Sequence, residues 1–262
     1  MVIAGLLLAG ALYAQEEPAQ GSRKRIFAPG ALLDDYEAAE PGSVTVSLGG
    51  GYYKVLAGYD VAMPWADITI GLTRRISLSA NSSFSRSVFE LFRTNAVGDA
   101  YVNAKFVLLA EGRRRPGVAF EPVLEILGRP SLANNLLAPD KYNAAFGGIL
   151  GKNLWDTFRV YSHSGYFTRG IVFTSAAVEF TRLSRLTPVA YASFGALSRH
   201  RDAVAEAQLN ASRPDVGGTL GFRLARDWTG FVSLSRSLGR RDLNSISISV
   251  SGGVSYTWRP RR

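Results

Sequence analysis

Ser162-His163-Ser164 sets two hydroxyls beside an imidazole, the residue types of a nucleophile and its general base. A serine hydrolase needs the two within hydrogen-bond reach. If this stretch is a β-strand, successive side chains point to opposite faces. Ser162 and Ser164 then point away from the face that His163 occupies, and residue 165, which would share that face, is Gly165. The only other histidine is His200 and there is no cysteine, so neither a histidine cluster nor a thiolate site for a metal is expected. Gly49-Gly50-Gly51 and Gly217-Gly218 precede no helix pattern, and they read as strand kinks or close packing, not phosphate loops.

A second group of reactive side chains is more extended. Asp67, Lys105, Glu121, Glu125, Arg159, His163, Glu179 and Arg223 fall on the polar side of alternating segments. Charges on the polar face of a strand line either a pore or a filled interior in which they neutralise one another. Lys105 is expected to approach Glu121 or Glu125 on the next strand.

The elements that carry these residues have a period of two. Ser245, Ser247, Ser249 and Ser251 alternate with Ile246, Ile248 and Val250, and the apolar face continues through Val254, Tyr256 and Trp258. The same code predicts strands near 43–53, 64–72, 76–86, 97–108, 117–126, 142–151, 157–168, 171–181, 188–198, 214–224, 228–238 and 245–258. Short connections are expected at Thr73–Arg75, Leu109–Pro116, Lys152–Asp156, Arg182–Thr187 and Ala225–Asp227. Longer ones, at Lys54–Met63, Ser87–Ala96, Leu127–Lys141 and Arg199–Arg213, fall on the opposite end, together with short ones near Arg169–Gly170 and Gly239–Asn244. An even number of strands with unequal loops predicts an all-β fold, a transmembrane antiparallel up-and-down β-barrel of about 12 strands.

Which face meets lipid follows from composition. The polar face is mostly Ser, Gly and Thr, thin cover for a surface in water. Past the N-terminus no run reaches the roughly 18 apolar residues of a membrane helix. Tyr52, Tyr53, Tyr142, Tyr166, Trp228, Tyr256 and Trp258 lie near strand ends, where interfacial aromatic girdles are expected. The formal charge is +9, but the arginines stand at segment ends (Arg74-Arg75, Arg113–Arg115, Arg182, Arg185, Arg240-Arg241). That is a pair of solvated rims, and no nucleic-acid partner is expected.

The chain divides into an export signal at 1–14, whose Val2–Leu12 core is apolar, a tether or plug-like periplasmic segment at 15–42, the barrel at 43–258 and a basic tail at 259–262. Outer-membrane location follows, with outer-membrane lipid and the barrel-assembly machinery as partners. No cofactor is expected.

Gly98-Asp99-Ala100-Tyr101-Val102-Asn103-Ala104-Lys105, then Leu108-Leu109, Glu111-Gly112 and Pro116-Gly117, resembles a family of Gram-negative outer-membrane proteins associated with the meta-cleavage pathway of phenol degradation. Gly252-Gly253-Val254-Ser255-Tyr256-Thr257-Trp258 resembles the closing strand of that family, although here Arg259-Pro260-Arg261-Arg262 follows the terminal aromatic. The resemblance implies a channel or transporter for small solutes, aromatic or hydrophobic ones included. Passive passage of small solutes is therefore the expected function. A closed structural barrel is the alternative, and an outer-membrane lipid or ester hydrolase the third.

Overall fold

The computed structural model describes residues 34–56, 58–89, 93–133, 140–199, 210–239 and 245–259. The expected signal at 1–14, most of the 15–42 segment, His200 and the last residues of the tail lie outside them.

Twelve strands close on themselves: β1 (Val44–Val55), β2 (Gly58–Gly71), β3 (Ile76–Phe89), β4 (Arg93–Leu109), β5 (Gly117–Ile126), β6 (Tyr142–Leu154), β7 (Phe158–Phe167), β8 (Ile171–Phe180), β9 (Leu186–Leu197), β10 (Ser212–Arg223), β11 (Trp228–Ser237) and β12 (Ile246–Trp258). Each pairs antiparallel with its sequence neighbours, and β1 pairs with β12 to complete the ring. Closure leaves no edge strand, so backbone donors and acceptors are satisfied within the wall, as lipid requires. One helical turn, α1 (Arg129–Ala133), lies between β5 and β6. Asp99 of β4 fixes its start, accepting the Gly128 N–H at 2.8 Å and the Ser131 hydroxyl at 2.9 Å.

The hydrophobic pattern is inside out relative to a protein in water. Leu48, Leu124, Phe146, Leu150, Val232, Leu234 and Val254 are exposed on the outer face, whereas Ser47, Ser77, Ser233, Ser249 and Ser255 are buried on the inner one. A band of exposed Leu, Val and Phe around a closed sheet has only one compatible surrounding, the hydrocarbon of a bilayer. Aromatic rings mark both borders. Trp228 and Tyr256 pack with centroids 5.0 Å apart, and Phe158 and Phe180 at 5.5 Å, at the end with the short turns. Tyr52 and Tyr59 pack at 5.8 Å at the other end. Tyr53 departs from the expected girdle, because it shares the inward parity of Ser47, and its hydroxyl would stand 2.9 Å from a methyl on Gly51.

Two of the four expected long loops are strand instead. Residues 54–63 and 87–96 are mostly absorbed into β1, β2, β3 and β4. Bulges explain the misreading. The register slips between Gly49 and Gly51 against β2, at Ala62/Trp65, and at Ser82/Phe84, and each slip breaks the strict alternation used to recognise a strand. Pro64, which has no N–H to give to a ladder, sits in one of these slips. The long connections that remain, 127–141 and 198–211, both lie at the end opposite the short turns. A tight turn joins β6 to β7 at Leu154–Thr157, where Trp155 and Asp156 take φ of 51° and 54° and the Thr157 N–H returns to the Leu154 carbonyl at 3.1 Å.

The closing seam is glycine-rich. Gly49 lies opposite Gly253 and Gly50 opposite Gly252. Nearer the start of β1 and the end of β12, Thr45 and Thr257 share a hydroxyl hydrogen bond at 3.0 Å and the Ser255 hydroxyl donates to Ser47 at 2.8 Å.

Candidate channel interior

Inward-pointing side chains divide the lumen wall into two unlike halves. From β9 through β12 to β1, and on β3, they are mainly Ser, Gly and Thr, Ser79, Ser193, Gly217, Thr219, Ser235 and Ser251 among them. From β4 to β8 large and charged residues, Tyr101, Lys105, Glu121, Glu125, Arg159, Tyr161, His163, Phe173 and Glu179, stand between small ones such as Ala119, Ala145, Gly147 and Ala177. Successive pairing of β4 with β5, β5 with β6, β6 with β7 and β7 with β8 is what gathers them on one side.

The eight charged or titratable residues singled out from the sequence all take inward parity, but they do not form one cluster. Asp67 on β2 stands apart and accepts from the Thr69 hydroxyl at 3.3 Å. Arg223 ends β10, at the rim with the short turns. Glu121 accepts from the Asn103 amide at 3.1 Å, with His163 Nε2 3.7 Å from its other oxygen. Glu125, fully buried, faces Arg169 of the β7–β8 turn, whose Nη2 donates to it at 3.1 Å and whose Nε lies 3.0 Å from its second oxygen.

Lys105 lies within electrostatic reach of Glu121, as expected, but its nearest carboxylate is on another segment. The register brackets it beside Glu121, since Asn103 faces Val123 and Phe106 faces Phe120. Its Nζ nevertheless closes on Asp34 at 2.6 Å, with Asp35 at 3.9 Å and the Glu37 carbonyl at 3.4 Å. Glu125 lies farther along β5, opposite Tyr101. Two carboxylates carried on a separate segment can approach the ammonium from the open lumen, where a neighbour fixed in the wall has less freedom to turn towards it.

That segment, residues 34–40, lies inside the barrel at the end with the short turns. Arg159 reaches Asp35 at 3.7 Å and Glu37 at 3.9 Å, as well as Glu179 of the wall at 3.8 Å, and its Nε donates to Asn153 at 3.2 Å. Between the charges Tyr36 is 1% exposed, in a cluster with Ala119, Ile149, Tyr161, Ala177 and Val189. Its ring occupies the places where side chains on Gly117 and Gly151 would stand. The phenol hydroxyl donates to Glu111 at 2.6 Å and accepts from the Asn153 amide at 3.1 Å. Glu111 in turn accepts the Asn153 N–H at 2.8 Å and faces Lys152 Nζ at 3.4 Å. Its partial burial pushes its carboxyl up, but the hydrogen bonds from Tyr36, Asn153 and Lys152 outweigh that and hold it below the usual carboxylate range.

Aromatic rings are laid against the inner wall by glycines on neighbouring strands. A methyl on Gly49 would stand 2.7 Å from Trp65, one on Gly253 2.9 Å from Phe231, and one on Gly165 2.6 Å from Phe173. Each ring faces its glycine directly across a strand pair. Trp65 and Phe231 meet over the closing seam, centroids 5.7 Å apart and planes tilted by 41°. Sequence reasoning missed these pairs, Arg169 and the contacts of residues 34–37. The glycines were visible, but which ring covers which glycine depends on register. Among the described residues no three metal-ligating side chains converge.

No family model and no curated protein matches the chain, so the resemblance to proteins of phenol degradation gains no support there. Solved structures do match, as folds. The COG4313 outer membrane channel from Pseudomonas putida F1 superposes with a TM-score of 0.64 at 11% identity, over 88% of this chain and 100% of that one. The KdgM porin, in complex with disordered oligogalacturonate, gives 0.57 at 12% identity, over 83% of this chain and 99% of that one. The NanC porin gives 0.56 at 10% identity, over 82% and 100%. The chain is a closed twelve-stranded antiparallel barrel of the outer-membrane type, and the outer membrane is its location.

Proposed function

We propose that the chain is a passive outer-membrane channel for small solutes. The observation that carries this reading is the asymmetry of the inner wall. An interior built only for stability would be filled on all sides by interlocking side chains. Here the inward positions from β9 to β1 are mainly Ser, Gly and Thr, with Val189, Tyr191, Phe231 and Arg223 among them, which leaves room along that wall for water and solute. The solved barrels of similar fold are channels, and one of them holds an oligogalacturonate.

The solutes of this reading include aromatic and hydrophobic ones. Trp65, Phe231 and Tyr191 lie over the inward glycines 49, 253 and 217 and offer flat apolar faces in a hydroxyl-lined passage. A planar ring can pass along such faces without giving up solvation on every side.

A specific observation favours the alternative of a closed structural barrel. The β4–β8 half and residues 34–40 crowd the turn end, where Glu121 is 2% exposed and Tyr36 1%. Conductance of the purified full chain in planar bilayers separates the two. Discrete single-channel steps support the channel. Silent membranes containing correctly inserted barrels support the platform. Ser162-His163-Ser164 does not supply a hydrolase pair, because Ser162 and Ser164 turn away from the face of His163, and Ser175, which faces His163 from β8, donates to its backbone carbonyl at 3.2 Å.

A further inference from the structure

Four cations point away from the lumen at the end with the long connections: Lys54 on β1, Arg86 on β3, Arg93 on β4 and Arg236 on β11, all exposed. Lys54 lies opposite the exposed Ile248, and Arg86 stands between the buried Ser85 and Ser87, which fixes the outward parity of both. Arg93 pairs with Val88, two positions from Arg86, so the arginines are diagonal neighbours with Cα atoms about 8 Å apart. Lys54 pairs with Tyr59 and Tyr59 with Val88, which puts Lys54 about 12 Å from Arg86 with β2 between them. Tyr59, packed against Tyr52, is the ring in that gap. Elsewhere the outward strand positions along this border are uncharged, Leu124, Tyr142, Tyr166, Val172 and Phe194 among them. Among the described residues no strand carboxylate faces outward, so the wall offers these cations no counter-charge.

We infer that Lys54, Arg86 and Arg93, grouped around Tyr59, bind the phosphates of the glycolipid in the outer leaflet. Like charges set diagonally on one face repel, and cations on the hydrocarbon side of a wall must lift their heads to the headgroup layer. Both costs are offset by an anion lying at that depth. In outer-membrane barrels the end with the long connections is the outer one, which gives this patch to the outer leaflet. The spacing selects among anionic lipids. One arginine takes a phosphate with its paired N–H groups, so cations about 12 Å apart suit a headgroup whose phosphates stand apart on a disaccharide. The single phosphate of a phospholipid reaches one of them at a time. The phenol of Tyr59 adds an amphipathic ring where sugar gives way to acyl chain. The site is on the outside of the wall and holds whether or not the barrel conducts.

The test titrates lipid A carrying both phosphates into the full chain, folded in a neutral detergent, and reads bound lipid by native mass spectrometry. Folding of each variant is checked by heat-modifiable mobility in gels. The triple variant Lys54→Gln, Arg86→Gln, Arg93→Gln should bind at least about tenfold more weakly than the parent, as expected for three cations lost at a charged surface. The triple variant Arg182→Gln, Arg185→Gln, Arg226→Gln removes the same charge from the opposite rim and should bind like the parent. Lipid A stripped of its phosphates should bind the parent no better than intact lipid A binds the first variant. Equal affinity of the first variant and the parent overturns the site, and so does an equal loss in both variants or indifference to the phosphates. Phosphatidylglycerol binding as tightly as lipid A overturns the assignment to the glycolipid.

Discussion

The Tyr36 hydroxyl donates to Glu111 Oε2 at 2.6 Å, which joins the segment before β1 to the β4–β5 turn, 75 positions along the chain. The acceptor is charged and half-shielded, and its orientation is fixed from the other side by the Asn153 N–H and by Lys152. The bond and the buried ring make separable contributions.

Tyr36→Phe keeps the ring and removes the donor. It is expected to weaken docking of residues 34–40 by about 1.5–3 kcal/mol, the range for a bond to a charged group. Tyr36→Ala removes the ring as well and should cost about 3–5 kcal/mol, the range for emptying a buried aromatic position. Rates of limited proteolysis in the 34–40 segment measure both. The barrel's own unfolding midpoint should hardly move, since neither change touches a strand.

Acid should loosen the same contact. The Glu111 carboxyl is held below its ordinary value, so its contribution is complete above the ordinary carboxylate pKa of about 4.3 and is lost as pH falls through the depressed, docked value. Protease access to residues 34–40 should stay low at neutral pH and rise only in strong acid. In Glu111→Gln the part of that transition due to Glu111 should disappear. An acid transition of unchanged size in the variant would assign the effect to other carboxylates.

Arg169 and Glu125 give a test of charge burial. Glu125 is fully buried, and Arg169 from the β7–β8 turn is the cation against it. Arg169→Gln should destabilise the barrel by about 3–5 kcal/mol, because a buried carboxylate loses its counter-charge. Adding Glu125→Gln to that variant should restore much of the loss. Denaturant unfolding in lipid reads the cycle, and a double variant no better than the single one would mean that the pair is not coupled.

The glycines under the rings predict a contrast within one residue type. Gly49→Ala sets a methyl against Trp65 and the Gly252 carbonyl and should cost about 1–3 kcal/mol as an overpacked site. Gly148→Ala meets nothing within 4 Å, and it should be neutral or gain about 0.4–1 kcal/mol from a stiffer unfolded chain. Equal losses at both positions would remove the ring-over-glycine packing from the account.

The strands of this barrel were legible where one face had to be apolar throughout. β12 alternates Ser and Ile because one side meets acyl chains and the other does not, and that requirement is written residue by residue. It stops at the membrane border. β3 and β4 run on past it, with Arg86, Ser87 and Asn95 still in the ladder, so the period that identified them fades while the hydrogen bonding continues. The inward parity of Lys105 and Arg159 was readable for the same reason as the strands. Their partners were not, because Asp34, Asp35 and Glu37 sit in a segment with no period, placed by three-dimensional closure alone. Arg169 was hidden in another way: a short turn residue shows no pattern, and its proximity to Glu125 depends on the pairing of β5 with β6 and of β6 with β7.

The glycines of the closing seam have a consequence for alignment. A strand pair keeps its register through side chains that fit only one set of neighbours, and a glycine run fits several almost equally well. Taken by themselves, Gly49–Gly51 and Gly252–Gly253 would let β1 and β12 slide. What marks the correct position is the meeting of Trp65 with Phe231 over the seam and the hydroxyl ladder beside it, Thr45 to Thr257 and Ser47 to Ser255. These two rungs lie where β1 begins and β12 ends, so the first strand and the last are indexed against each other where they enter the membrane. The smooth glycine stretch then follows that index, much as the teeth of a zipper follow its pin.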